Sequence, residues 1–139
     1  MAHPGGTNNN QIGLLSEMLV VAELLKRGFS VGTMLGGHTP YDLICDNGRS
    51  LLRLQIKTGL LRGPNHRYSF PTARGKYHVP YRAEDCDYLI GVIATETPPI
   101  FYVFPIKEIG ATATYVWPGL PAHPLDAFKG AFHLLNEIE

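Results

Sequence analysis

The sequence is short of cysteine, of long apolar runs and of net charge, and each shortage excludes something. Its only two cysteines, Cys45 and Cys86, are expected to be free and partly buried rather than bridged. No run approaches the roughly 18 consecutive apolar residues that a membrane span needs. The start, Met1-Ala2-His3-Pro4-Gly5-Gly6, lacks the basic and apolar regions of a secretion signal, so a cytoplasmic protein is expected. There is no Gly-rich phosphate loop, CxxC pair or HExxH, and the six histidines show no metal-ligand spacing. Repeats, low-complexity tracts and internal linkers are also missing.

Lysine plus arginine and aspartate plus glutamate both number 12, so the net charge is zero. Taken alone, that argues against a nucleic-acid protein. The distribution reverses the argument. Residues 47–83 hold eight basic residues (Arg49, Arg53, Lys57, Arg62, Arg67, Arg74, Lys76 and Arg82) and no acidic one. The flanks are acidic, net −2 before this stretch and net −6 after it. Such asymmetry is the footprint of a polyanion site, or of a solvated basic loop balanced by the acidic C-terminal half.

What is present suits one domain spanning residues 1–139, with 45% hydrophobic residues to build a single core. Thr7-Asn8-Asn9-Asn10 is rich in side chains that satisfy the free N–H groups of a first helical turn. Apolar residues recur at Ile12, Leu15, Leu19, Ala22 and Leu25, with Val21 and Leu24 beside them. Lys26 and Arg27 suit the C-terminal end of the dipole, and Gly28 is a natural stop. A helix over about residues 10–27 follows. Strands are expected at 29–35, 41–45, 51–58, 87–94 and 100–104. Asn47-Gly48 is the strongest short turn signal. Residues 59–82 read as an irregular basic arm with short strands at 68–70 and 76–79. A single helical turn is expected at 106–110, a loop at 118–124 and a final helix over about 126–138. This order predicts an α/β (α+β) domain, a mixed sheet of about five strands with the N-terminal helix packed on it.

Chemistry concentrates in residues 41–58. Asp42 starts one strand of the expected hairpin. Gln55 and Lys57 lie two apart on the other, so their side chains share a face. An acidic group, a second oxygen ligand and a lysine on one side of a hairpin can hold Mg²⁺ against a phosphodiester. Each residue also has a plainer reading: Asp42 as a turn cap, Gln55 as a sheet-face amide, Lys57 as a strand lysine reaching solvent.

Asp42, then twelve residues, then Gln55-Ile56-Lys57 resembles the PD-(D/E)xK nuclease superfamily, most of all its intron-associated homing endonucleases and Holliday-junction resolvase-like members. The likeness extends over about residues 10–104. Gly13-Leu14-Leu15-Ser16-Glu17 is similar to the first-helix motif, which implies that Glu17 reaches toward the metal; otherwise it is a surface glutamate. The resemblance implies a restriction-endonuclease-like core, Mg²⁺ or Mn²⁺ as cofactor, Asp42, Gln55 and Glu17 as metal ligands, and Lys57 as the group that orients water or neutralises charge. This chain departs at two points. Tyr41 separates Pro40 from Asp42, and a neutral Gln55 stands where most members have Asp or Glu.

In the basic arm, Arg62, Arg67, Arg74, Lys76 and Arg82 would meet DNA phosphates, with Ser69 adding a hydrogen bond and aromatics such as Tyr77 and Tyr81 interleaved. The implied protein is a nucleoid-associated DNA endonuclease acting as a homodimer or homotetramer. A catalytically inactive DNA-binding protein on a nuclease fold and a structural domain with incidental basic loops stay open.

Overall fold

The structure is a computed structural model that describes residues 8–137. Helix α1 spans Asn9–Lys26. Asn8 caps it by accepting from the Gln11 N–H, while the Gln11 side chain accepts from the Asn8 N–H, a reciprocal capping box. Gly28 ends it in the left-handed region at φ 91°.

Ten strands follow: β1 Ser30–Thr33, β2 Leu43–Asp46, β3 Leu51–Thr58, β4 Leu60–Leu61, β5 Tyr68–Pro71, β6 Ala73–Arg74, β7 Val79–Pro80, β8 Tyr88–Ile93, β9 Ile100–Pro105 and β10 Ala113–Val116. Five of them form the central mixed sheet in the order β1-β2-β3-β8-β9, with β3 and β8 the parallel pair. This is the five-stranded sheet with an N-terminal helix that the hydrophobic pattern predicts.

The sheet carries a core on each face. On one side Val20 and Leu24 of α1 meet Leu52, Leu54 and Ile56 of β3, together with Phe132 and Leu135 from the C-terminal segment. On the other side Phe70, Tyr81, Cys86, Leu89 and Phe104 form a second cluster. Phe70 lies close against the sheet because Gly59 and Gly91 leave it room. A Cβ on Gly91 would stand 2.7 Å from the Phe70 ring, and one on Gly59 equally close.

The structure departs from the expected elements at several points and adds detail at others. In the arm, β5 falls on the strand expected at 68–70 and joins β10 and β4 in a second, three-stranded sheet, whereas in place of the strand expected at 76–79 the chain forms the separate β6–β7 hairpin. The β10 strand has no counterpart among the expected elements, and Tyr115 lies in it as a strand residue. The β2–β3 turn covers residues 47–50, because Asp46 pairs with Leu51, and it holds the expected Asn47-Gly48 signal. Asn47 Oδ1 accepts from the Arg49 and Ser50 N–H groups and closes it.

The expected final helix is corrected: over its described residues the chain forms two short 3₁₀ turns, Pro124–Phe128 and Phe132–Asn136. Gly130 at φ 65° breaks the run, and its N–H donates to the Phe101 carbonyl of β9. Pairing with the sheet edge outweighs helical propensity there. In α1 the structure also shows which face packs. Its buried stripe is Ser16, Val20 and Leu24, while Leu14, Leu15, Met18 and Leu25 are exposed. The helix is apolar on several faces, so periodicity alone does not select the core-facing one.

Candidate active site

The β2–β3 pairing places the motif. Asp42 precedes β2, and its N–H donates to the Leu54 carbonyl at 2.8 Å, extending the ladder by one residue. Its side chain turns back on β3, where Oδ2 accepts the Ile56 N–H at 2.8 Å. That contact locks the carboxylate beside the backbone between Gln55 and Lys57. Along β3, Leu52, Leu54 and Ile56 enter the α1-side core, so Gln55 and Lys57 lie on the opposite face.

Asp42 and Gln55 line one cleft of about 460 Å³. Its remaining walls are the loop Gly37–Pro40, the β6–β7 hairpin with Arg74, Lys76 and Tyr77, and the ring of Tyr81. Gln55 is nearly buried at 8% exposure, so its amide meets the cleft rather than bulk water. The Lys57 ammonium sits 5.2 Å from the centroid of the Tyr81 ring.

Charge in the site is poorly solvated. Burial pushes the Asp42 carboxyl above its ordinary range, opposed by the Ile56 N–H and the charge of Lys57. Burial lowers the Lys57 ammonium, opposed by Asp42. Glu17 is raised by burial and then by the charge of Asp42, which places the two carboxylates within electrostatic reach. Two carboxyl groups held too high and in mutual repulsion favour a cation between them. Among the described residues no three His, Cys, Asp or Glu side chains converge. Asp42, Glu17 and the Gln55 amide oxygen could offer two carboxylates and one neutral oxygen, all hard donors of the kind Mg²⁺ or Mn²⁺ takes.

Two positioning contacts escape the sequence pattern. Ser16 is fully buried, and its hydroxyl hydrogen-bonds Thr58 Oγ1 at 2.8 Å. This ties the α1 turn that carries Glu17 to the end of β3, one residue past Lys57. A small polar residue on the buried stripe of an apolar helix is the available signal. The second is Tyr81, which the sequence marks only as one aromatic of the basic arm.

The basic residues divide into two sets. Arg74 and Lys76 overhang the cleft, and His38 joins them from the loop before Pro40. Arg62 and Arg82 are exposed, with Arg82 3.6 Å from Glu84. Others are spent internally. Arg53 pairs with Asp87 at 3.1 Å and donates to the Ala83 and Glu84 carbonyls. Arg67 donates to the Arg62 carbonyl and stacks on Tyr115 at 4.4 Å. Ser69 lies half-buried in β5, the central strand of the small sheet.

A mixed sheet flanked by an N-terminal helix, with an acidic residue and a Gln-x-Lys on adjacent strands, defines a restriction-endonuclease-like fold. Residues 7–117 match the family described as PD-(D/E)XK endonuclease, and the chain belongs to that family. Among solved structures it is similar to the bacterial homing endonuclease I-Ssp6803I, at 22% identity, 94% coverage of both chains and a TM-score of 0.80. It is also similar to the Holliday junction resolvase Hjc of the archaeal hyperthermophile Archaeoglobus fulgidus. That likeness has 18% identity, covers 78% of this chain and 86% of the other, and has a TM-score of 0.50. No curated protein sequence gives a significant match.

Proposed function

We propose that this chain is a Mg²⁺- or Mn²⁺-dependent DNA endonuclease of homing type, with Glu17, Asp42 and Gln55 as metal ligands and Lys57 as the catalytic lysine. The observation that carries the reading is the cleft itself. Asp42 and Gln55 form its floor, and Arg74 and Lys76 hang over it. A bound divalent cation would supply charge for the scissile phosphate and acidity for a coordinated water. The protein's own part is positional. The Ile56 N–H fixes one Asp42 oxygen and leaves the other free. Gln55 offers a neutral oxygen from a desolvated place. Lys57 presents a cation whose lowered proton affinity suits it to orient water or neutralise developing charge. Arg74 and Lys76 suit phosphates entering from the hairpin side. The likeness to a homing endonuclease over 94% of both chains favours that type above junction resolution.

The test is cleavage of supercoiled plasmid and of a four-way junction with Mg²⁺, Mn²⁺, Ca²⁺ or EDTA. Cutting in Mg²⁺ or Mn²⁺, and none in EDTA, supports the reading. The neutral Gln55 favours a second one, an inactive DNA-binding protein on the same fold. Salt-dependent DNA binding with no cleavage in any metal would select it.

A further inference from the structure

We infer that Tyr81 is a positioning residue for the Lys57 ammonium, holding it behind the cleft wall, within electrostatic reach of Asp42, through the face of its aromatic ring. The inference deepens the nuclease reading and rests on it. Three ion pairs form among the described residues, and Lys57 is in none of them. Nor does its ammonium donate a hydrogen bond to any described residue. Its contact is the Tyr81 ring, 5.2 Å from the centroid.

Of the other rings that face a cation, Tyr77 and Tyr115 of the arm are exposed, and the buried Phe132 faces Arg27, which also pairs with Glu23. Tyr81 is 7% exposed, packed in the core cluster with Phe70, Cys86 and Leu89, and faces a cation that has no ion pair among the described residues. A cation over a desolvated ring face is held far better than one at the surface, because water does not compete for it. The ring is itself fixed. Tyr81 follows β7, where the arm returns to the sheet, and its N–H donates to the Thr72 carbonyl at 3.5 Å. Thr72 is fully buried and its hydroxyl donates to the Gly110 carbonyl at 2.7 Å.

The same ring walls the cleft beside Asp42 and Gln55. Tyr81 thus joins the arm to the catalytic strand. It steers a flexible four-carbon side chain that would otherwise pair with Asp42 or leave for solvent. The quadrupole of the ring does this, so the phenol hydroxyl is dispensable and the electron density of the face is not.

The experiment uses the full chain with Tyr81→Phe, then phenylalanines bearing one, two and three fluorines at position 81. Fluorine withdraws density from the ring face with little change of shape. Single-turnover cleavage of a supercoiled plasmid is read in Mg²⁺, DNA affinity in Ca²⁺, and melting temperature on the same proteins. Tyr81→Phe should cut within about twofold of the parent. The fluorinated series should then lose rate stepwise, about tenfold or more in total, with affinity and melting temperature constant. A flat rate across the series, or a loss that follows melting temperature, overturns the role of Tyr81 while leaving the nuclease reading intact. If the parental protein cuts no DNA in any metal, the nuclease reading fails and takes this role with it. The Lys57 side-chain proton shifts, moved by the ring current and released in Tyr81→Leu, then report whether the contact itself exists.

Discussion

In the proposed metal site, a glutamine where an acidic ligand is commoner would change the charge by one unit and leave Asp42 and Glu17 to carry the consequence. Gln55→Glu restores the commoner charge and should retain or raise cleavage in Mg²⁺. Complete loss of activity would mean that the neutral amide is itself required. Lys57→Ala should abolish cleavage yet weaken DNA binding only modestly, since a group acting on the transition state changes rate more than ground-state affinity. Parental cutting by that variant would remove Lys57 from the mechanism. These residues are legible because strand alternation puts Gln55 and Lys57 on one face of β3, and Asp42 stands one residue before β2, the strand paired with it. Tyr81 is not legible. Its place depends on where the chain re-enters after the arm, which no local pattern encodes. A different residue-scale effect comes from Cys45. Burial, then the charge of Asp46, pushes its thiol up to about 11. The folded state keeps that proton at a pH where the unfolded thiol, with a pKa of about 8.5, has lost it. The stabilisation is whole below the unfolded value and is lost as pH rises toward the folded one. The melting temperature should therefore decline above about pH 8.5, and more shallowly in Cys45→Ala. Equal steepness in the two proteins would place the alkaline loss elsewhere.

At the scale of elements, the β6–β7 hairpin separates itself from the rest of the basic stretch. Charge counting gives all of residues 47–83 one role, but the structure sorts the side chains by what they already touch. Arg53 and Arg67 hold carbonyls, a carboxylate and a ring of their own protein. Arg74 and Lys76 overhang the cleft, and the one ring contact between them is that of Lys76 with the exposed Tyr77 of the same hairpin. Replacing Arg74 and Lys76 by alanine should flatten the dependence of log affinity on log salt by about two units, roughly 0.9 for each phosphate that is no longer neutralised. Arg67→Ala should leave that slope alone and lower stability by freeing the ring of Tyr115. Affinity for a fixed duplex across a salt series measures the first, and circular dichroism melting the second. A flattened slope in Arg67→Ala with no change in melting would reverse the assignment. The elements themselves are unequally readable. Helix α1 and the five central strands announce themselves through caps, turns and apolar runs. So do β5 of the small sheet and the 3₁₀ turn Ile106–Glu108, but β10 and the two 3₁₀ turns after residue 123 do not, because β10 and Gly130 owe their conformations to partners far away in sequence.

For the whole molecule, the decisive quantity is how many sites meet one duplex. Each chain carries one candidate cleft, and duplex DNA has two strands of opposite direction. Cutting both strands in one binding event calls for two copies related by a two-fold axis, so we propose at least a homodimer. Mixing distinguishes this from a monomer that cuts twice. Co-expressing the chain with a large excess of Lys57→Ala places nearly every active copy beside an inactive one. In a dimer, such mixed pairs cut one strand, and the product from supercoiled plasmid shifts from linear DNA to nicked circles. In a monomer, the inactive chain only competes for sites, which slows the reaction but leaves the ratio of linear to nicked product as in the diluted parent. Sedimentation equilibrium of the free protein gives the stoichiometry independently. A mass near one chain together with an unshifted product ratio would refute the paired arrangement. A mass of four chains with the same shift toward nicking would extend it, since a tetramer built as two pairs also divides its duplex between two clefts.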